Sequence, residues 1–139
     1  MTGIRMRYRA SPESAGAARR SVSTFAKACG FRGERLTDLE LAAGEAIANA
    51  IEHGNRLRGF FEVRCRFDGA ILTIEVKDRG SGFDAPSEPT PGPDSNLRGW
   101  GLFLMKNLLD RVSYFENGTG VRLEMSLPAA RENGGEATS

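Results

Sequence analysis

Cysteine and histidine are scarce, net charge is nearly absent, and no long apolar run occurs. Each absence removes a class of protein. The two cysteines, Cys29 and Cys65, stand in no zinc or redox spacing. They read as free thiols of a reducing cytoplasm, with a single disulfide as the alternative. The formal net charge is +1, which gives no electrostatic case for DNA, RNA or an anionic membrane as the main partner. No stretch approaches the length of a membrane helix. Met1 to Arg9 has no apolar core of signal-peptide length. A cytoplasmic location is therefore expected. The phosphate-binding pattern G-x-x-x-x-G-K-[ST] is missing, and so is the H-R-D and D-F-G set of ordinary protein kinases. No internal repeat is visible.

What is present suits one globular domain. The 139 residues are 40% hydrophobic and 27% charged. A chain of that length buries roughly 68–70% of its unfolded surface, enough for a core without staples. Ile4 to Arg9 alternates apolar and basic residues, a short strand expected at a sheet edge. Ser11-Pro12-Glu13 reads as N-cap, first helical position and first-turn acid of a helix running to Ala28, with Gly30 beyond its end. Thr37 and Glu40 fit a capping box. It would open a second helix ending near Gly54, whose buried face carries Leu36, Leu39, Ala43, Ile47 and Ile51. Gly44 inside that helix suggests close packing against a neighbour. Strands at Phe60–Phe67 and Ala70–Lys77 flank Asp68-Gly69, a two-residue hairpin signal. Residues 84–98 are rich in proline and read as a lid loop. A helix over Leu102–Val112 and a hairpin of Val112–Phe115 with Val121–Leu127 follow, turning at Asn117-Gly118. The expected fold is a two-layer α/β sandwich, a largely antiparallel mixed sheet on three helices. It occupies residues 1–128, and 129–139 form a flexible tail.

Three segments carry candidate chemistry. In the first, Glu45, Asn49 and Glu52 share one helix face beside the apolar stripe. A carboxylate and a carboxamide there suit a hydroxyl proton or a hard cation such as Mg²⁺, which keeps several waters and needs few protein oxygens. In the second, Asp78-Arg79-Gly80-Ser81-Gly82 follows a strand, so a carboxylate precedes glycines that permit close ligand approach. In the third, Arg98-Gly99-Trp100-Gly101-Leu102 opens a helix, where free N–H groups and a guanidinium suit phosphates. Taken singly, the three also read as a polar helix edge, a strand-ending turn and a helix entry. His53 reads as a helix-end residue, Trp100 as packing, a nucleotide cover or a partner contact, and the arginines of the first strand as a solvated edge or a partner surface.

Order and spacing together make the set specific. They closely resemble the N, G1 and G2 boxes of the GHKL (Bergerat-fold) ATPase superfamily, over roughly residues 4 to 128. Within it, the chain looks like the stand-alone anti-sigma-factor serine kinases, through Glu45, Asn49, Ala50, His53 and Gly54. The resemblance implies ATP and Mg²⁺ as cofactors. It implies that Asn49 ligates the metal and that Glu45 acts as general base. Asp78 would bind the adenine amine, with Gly80 and Gly82 shaping that side of the pocket. Gly99, Gly101 and Leu102 would hold phosphates, and Arg98 would sit near the γ-phosphate or the partner. The implied partner is a STAS-type anti-sigma-factor antagonist, with a sigma factor as competitor, and similar kinases commonly form homodimers. One departure stands out: Val121 occupies a position where the family often has threonine, and Thr119 lies just before it. The alternative function is a non-catalytic ATP/ADP-binding switch that sequesters a protein partner. A third reading, an interaction domain without nucleotide binding, rests on Val121 alone.

Overall fold

A computed structural model describes residues 2–56, 59–78, 107–115 and 120–128, with side chains up to residue 52 of the first span. The order is β1 (Thr2–Arg9), α1 (Glu13–Cys29), α2 (Gly33–Arg56), β2 (Phe60–Phe67), β3 (Ile71–Asp78), β4 (Arg111–Phe115) and β5 (Gly120–Ser126). The strands form one sheet in the order β1-β2-β3-β5-β4. Every described pair is antiparallel, so the sheet is not mixed among the described residues. The edge position expected for the first strand is found.

The alternation in each strand explains the two layers. Ile4, Met6 and Tyr8 of β1 align with Cys65, Val63 and Phe61 of β2, and these with Ile74, Val76 and Asp78 of β3. With Leu72, Leu123 and Met125 they form the face on which the helices lie. Val22, Phe25 and Ala26 of α1 and Leu39, Ala43, Ile47 and Ala50 of α2 close the same core. A period of two on the strands and of 3.6 on the helices thus brings one apolar stripe against another. Cys65 is fully buried and Cys29 half-buried, both as free thiols. Burial holds the Cys65 thiol up at about 12.

Several boundaries differ from expectation. Ser11 makes no side-chain cap, and Pro12 is the N-cap in right-handed helical geometry. The Ser11 carbonyl instead accepts from Ser14 N–H at 2.9 Å. The other end behaves as expected. Gly30 has φ 110°, and Gly30 and Phe31 N–H donate to the carbonyls of Lys27 and Ala26. That is a Schellman closure, which favours glycine at the left-handed position.

The Thr37 capping box is not formed. α2 begins four residues earlier, at Gly33 (φ 64°), which places Thr37 inside the helix. Glu40 instead accepts a hydrogen bond from Ser23 Oγ of α1 at 2.5 Å, so a tertiary contact takes the carboxylate that the box would have used. Arg35, in the new first turn, donates to the Ser126 carbonyl and pairs with Asp110 at 3.2 Å.

The Asp68-Gly69 hairpin forms, with Gly69 and Ala70 as its central residues. Asp68 and Ile71 close it, with Asp68 N–H donating to the Ile71 carbonyl at 3.3 Å. Asp68 Oδ1 accepts from Ala70 and Ile71 N–H, both at 2.8 Å, and Gly69 takes φ 99°. This aspartate has turned from a turn centre into a turn brace. Of the helix expected at 102–112, only Asn107 and Leu108 are described as helical, and Arg111 and Val112 belong to β4. The lid at 84–98, the turn at Asn117-Gly118 and the tail at 129–139 lie outside the described residues.

Candidate nucleotide site at one end of the helix–sheet layer

The direction of α2 decides which residues can meet. Its N-terminal Arg35 binds Ser126 at the end of β5, and Ser126 is paired with Ile71 at the start of β3. Its C-terminal end feeds β2, where Phe61 is paired with Asp78 at the end of β3. Thus α2 and β3 run the same way. From Arg35 to Asn49 the helix rises about 21 Å, at 1.5 Å per residue. From Ile71 to Asp78 the strand advances about 23 Å, at 3.3 Å per residue. Asn49 and Asp78 therefore lie at one level along the layer.

The two flanks of α2 differ in their neighbours. One faces α1: Glu40 meets Ser23, and a Cβ on Gly44 would lie 3.6 Å from Arg19 Nε. That is ordinary contact distance, so Gly44 does not enforce the close approach its type suggested. The other flank carries Glu45 and Asn49, both half-buried, and then the exposed Glu52. Burial raises the pKa of the Glu45 carboxyl, which strengthens it as a proton acceptor. A groove of about 490 Å³ between α1 and α2 lies on the opposite flank and is lined by Arg19, Arg20, Ser23, Glu40 and Leu41.

Asp78 is the one buried charged side chain among the described residues, 4% exposed. It sits at the C-terminal end of β3 on the helix-covered face, in a row with Phe61 and Tyr8, whose rings stack at 5.3 Å. An apolar row that ends in a carboxylate suits a flat heterocycle bearing an amine. Asn49 adds an amide oxygen at half depth, the kind a hydrated Mg²⁺ accepts, and Glu45 a proton acceptor one turn before it. The described residues thus fit a Mg-nucleotide.

Gly80, Gly82, Arg98, Gly99, Gly101 and Leu102 lie outside the described residues, as do Trp100 and Thr119. Val121 lies on the core face, aligned with Val76 and Tyr114. It presents no hydroxyl there. Sequence reading missed the half-buried Tyr114, whose buried hydroxyl has no hydrogen-bond partner among the described residues and is pushed up to about 12 by burial. Its signal was the phase of β4, which depends on where the preceding helix stops.

Fold and site together define an ATP-binding α/β sandwich of the histidine-kinase type. Comparison with known proteins agrees. The family model for the histidine kinase-like ATPase domain matches residues 8–127. The serine-protein kinase RsbW of Oceanobacillus iheyensis is 36% identical, over 93% of this chain and 88% of that one. The anti-sigma F factor of Clostridium acetobutylicum is 31% identical over 88% of this chain and 90% of its own. The RsbW of Bacillus subtilis is 33% identical over 88% and 83%. A crystal structure of RsbU and RsbW domains from Mycobacterium tuberculosis superposes with a TM-score of 0.65 at 18% identity. It covers 91% of this chain and 32% of that longer one, and so supports the fold. The chain belongs to the histidine kinase-like ATPase family, in the group that holds the RsbW kinases and anti-sigma F factors. Among the described residues, no helix is long and apolar enough to cross a membrane.

Proposed function

We propose that this chain is an ATP-dependent serine kinase and anti-sigma factor of a cytoplasmic partner-switching pathway, acting on a STAS-type antagonist. The observation that carries the reading is Glu45, half-buried and raised in pKa, one turn before Asn49 and at the same end of the layer as buried Asp78. Relatives named as serine-protein kinases, at 33–36% identity, support the same conclusion.

Bound Mg-ATP supplies the transferable phosphoryl group and part of its charge neutralisation. The chain supplies positioning and proton handling, the two things phosphoryl transfer asks of a protein. Asn49 would hold the metal through its amide oxygen. Asp78 would accept from the adenine amine, with Gly80 and Gly82 shaping that side of the pocket. Gly99, Gly101 and Leu102 would hold the phosphates, with Arg98 as a planar charged donor. Glu45 would take the proton from the partner's serine hydroxyl. The free antagonist and a sigma factor compete for the kinase, which works as a homodimer.

Incubation with γ-labelled Mg-ATP and the STAS-domain protein encoded beside it tests this. Label on serine of the partner is expected. Nucleotide binding without any transfer would refute the kinase. If Glu45→Ala then kept partner regulation while Asn49→Ala abolished it, the chain would be a nucleotide-gated binding switch.

A further inference from the structure

The side of the sheet turned away from α1 and α2 is arginine-rich, and its cations are unevenly paired. The register places Arg5, Arg64, Glu75 and Arg122 in one cross-strand row. Glu75 is already taken: its Oε2 accepts from Arg122 at 2.7 Å and from Arg66 at 3.2 Å. Arg5 and Arg64 are exposed, directly opposite one another, and have no carboxylate partner among the described residues. Like charges so placed cost stability, and a surface that only needed to stay wet gains nothing from them. The next row holds Arg7, Glu62 and Lys77. A cavity of about 150 Å³ lies between these rows, lined by Arg5, Glu62, Arg64, Glu75, Lys77 and Phe115.

Two half-buried phenyl rings flank it. Arg7 stacks over Phe60 at 4.7 Å, and Arg122 over Phe115 at 5.0 Å. The face therefore offers unpaired guanidinium forks between two apolar platforms. That combination suits carboxylates interspersed with apolar side chains. A nucleic-acid backbone fits less well, because its unbroken phosphates would meet Glu62, Glu75 and Glu124 on the same face. A second copy fits less well too, since two such faces would set arginine against arginine.

We propose that this sheet face is a second interaction surface, which docks an acidic segment of a protein partner with its carboxylates on Arg5 and Arg64. It lies on the opposite side of the sheet from Glu45, Asn49 and Asp78, so a partner held here leaves the nucleotide end open. The inference does not depend on kinase activity.

The test uses the full chain and a fluorescein-labelled synthetic peptide of alternating glutamate and leucine, read by anisotropy at low salt. Binding is expected, weakened by added salt and by about tenfold or more in Arg5→Glu/Arg64→Glu, where two attractive contacts become repulsive. Arg32→Glu, away from the face, should bind as wild type. Arg5→Gln/Arg64→Gln should fall between, and unchanged ATP binding checks that each variant is folded. No peptide binding, equal loss in Arg32→Glu, or tighter binding of a single-stranded oligonucleotide of matched charge would overturn the proposal. So would a wild-type dimer that Arg64→Glu dissociates, because the face would then join two copies of this chain.

Discussion

The two sides of one sheet have been given opposite work by residues that alternate along the same strands. On the helix side, Phe61, Val63, Ile74 and Leu123 are at 0% exposure, and the only buried charge among the described residues is Asp78, at the end of β3. On the other side, the neighbours of those residues are the exposed Arg64 and the half-buried Glu75 and Arg122, of which Glu75 pairs with Arg122 and Arg66. Stability is concentrated on the first side. A charge placed there makes Asp78 a candidate binding position, since burying a carboxylate is costly. Charges on the second side cost far less than a buried one, so their sign is free to be chosen for a partner.

Core truncation should break this contrast most strongly. Phe61→Ala is expected to lose about 3–5 kcal/mol in denaturant unfolding. Arg64→Ala, the same strand's other face, should stay within about 0.5 kcal/mol. Comparable losses would show that the outer face is also structural.

Next in size is Glu45→Gln. Removing the general base should slow serine phosphorylation by about 100-fold or more. The same substitution should raise stability at neutral pH. Burial raises the folded-state pKa of Glu45 above its unfolded value, so its favourable contribution is complete at low pH and is lost as pH climbs through the raised pKa. Thermal melts of both proteins should therefore converge in acid and separate toward neutrality. In the wild type, the acid limb of the turnover profile should sit above that of a solvent-exposed glutamate. A melt difference that does not change with pH would contradict the burial account.

Gly44→Ala should stabilise by at most about 1 kcal/mol, the helix-propensity difference. Its Cβ meets only the Arg19 side chain, at 3.6 Å. A loss would mean that α1 and α2 approach more closely there. Glu75→Gln should cost less than about 1 kcal/mol, because its arginine partners are about one-third exposed. A larger loss would make the outer face a stability element.

Much of this was legible in the sequence, for physical reasons that can be named. β2 was placed residue for residue, because Phe60–Phe67 has clean alternation and ends at a glycine turn. The flank of α2 bearing Glu45 and Asn49 followed from helical periodicity alone. The start of α2 was misplaced because local chemistry at Thr37 and Glu40 is ambiguous, and tertiary contacts of Glu40 with Ser23 and of Arg35 with Ser126 decide it. The end of the third helix was overrun because Arg111 and Val112 suit a helix as well as β4. Of the arginine row, only the first-strand arginines stood out in the sequence, as a solvated edge or a partner surface; the row itself did not. Arg5, Arg64 and Arg122 are far apart in sequence, and only strand register brings them together.

The central claim is a Mg-nucleotide pocket built on Asn49 and Asp78, and calorimetric titration tests it most directly. ATP would be added to the wild type and to Asn49→Ala, with and without Mg²⁺. Mg-dependent binding by the wild type that disappears in the variant is the expected result. A folded wild type that binds no ATP, or an Asn49→Ala protein that binds it equally well with Mg²⁺, would contradict the account.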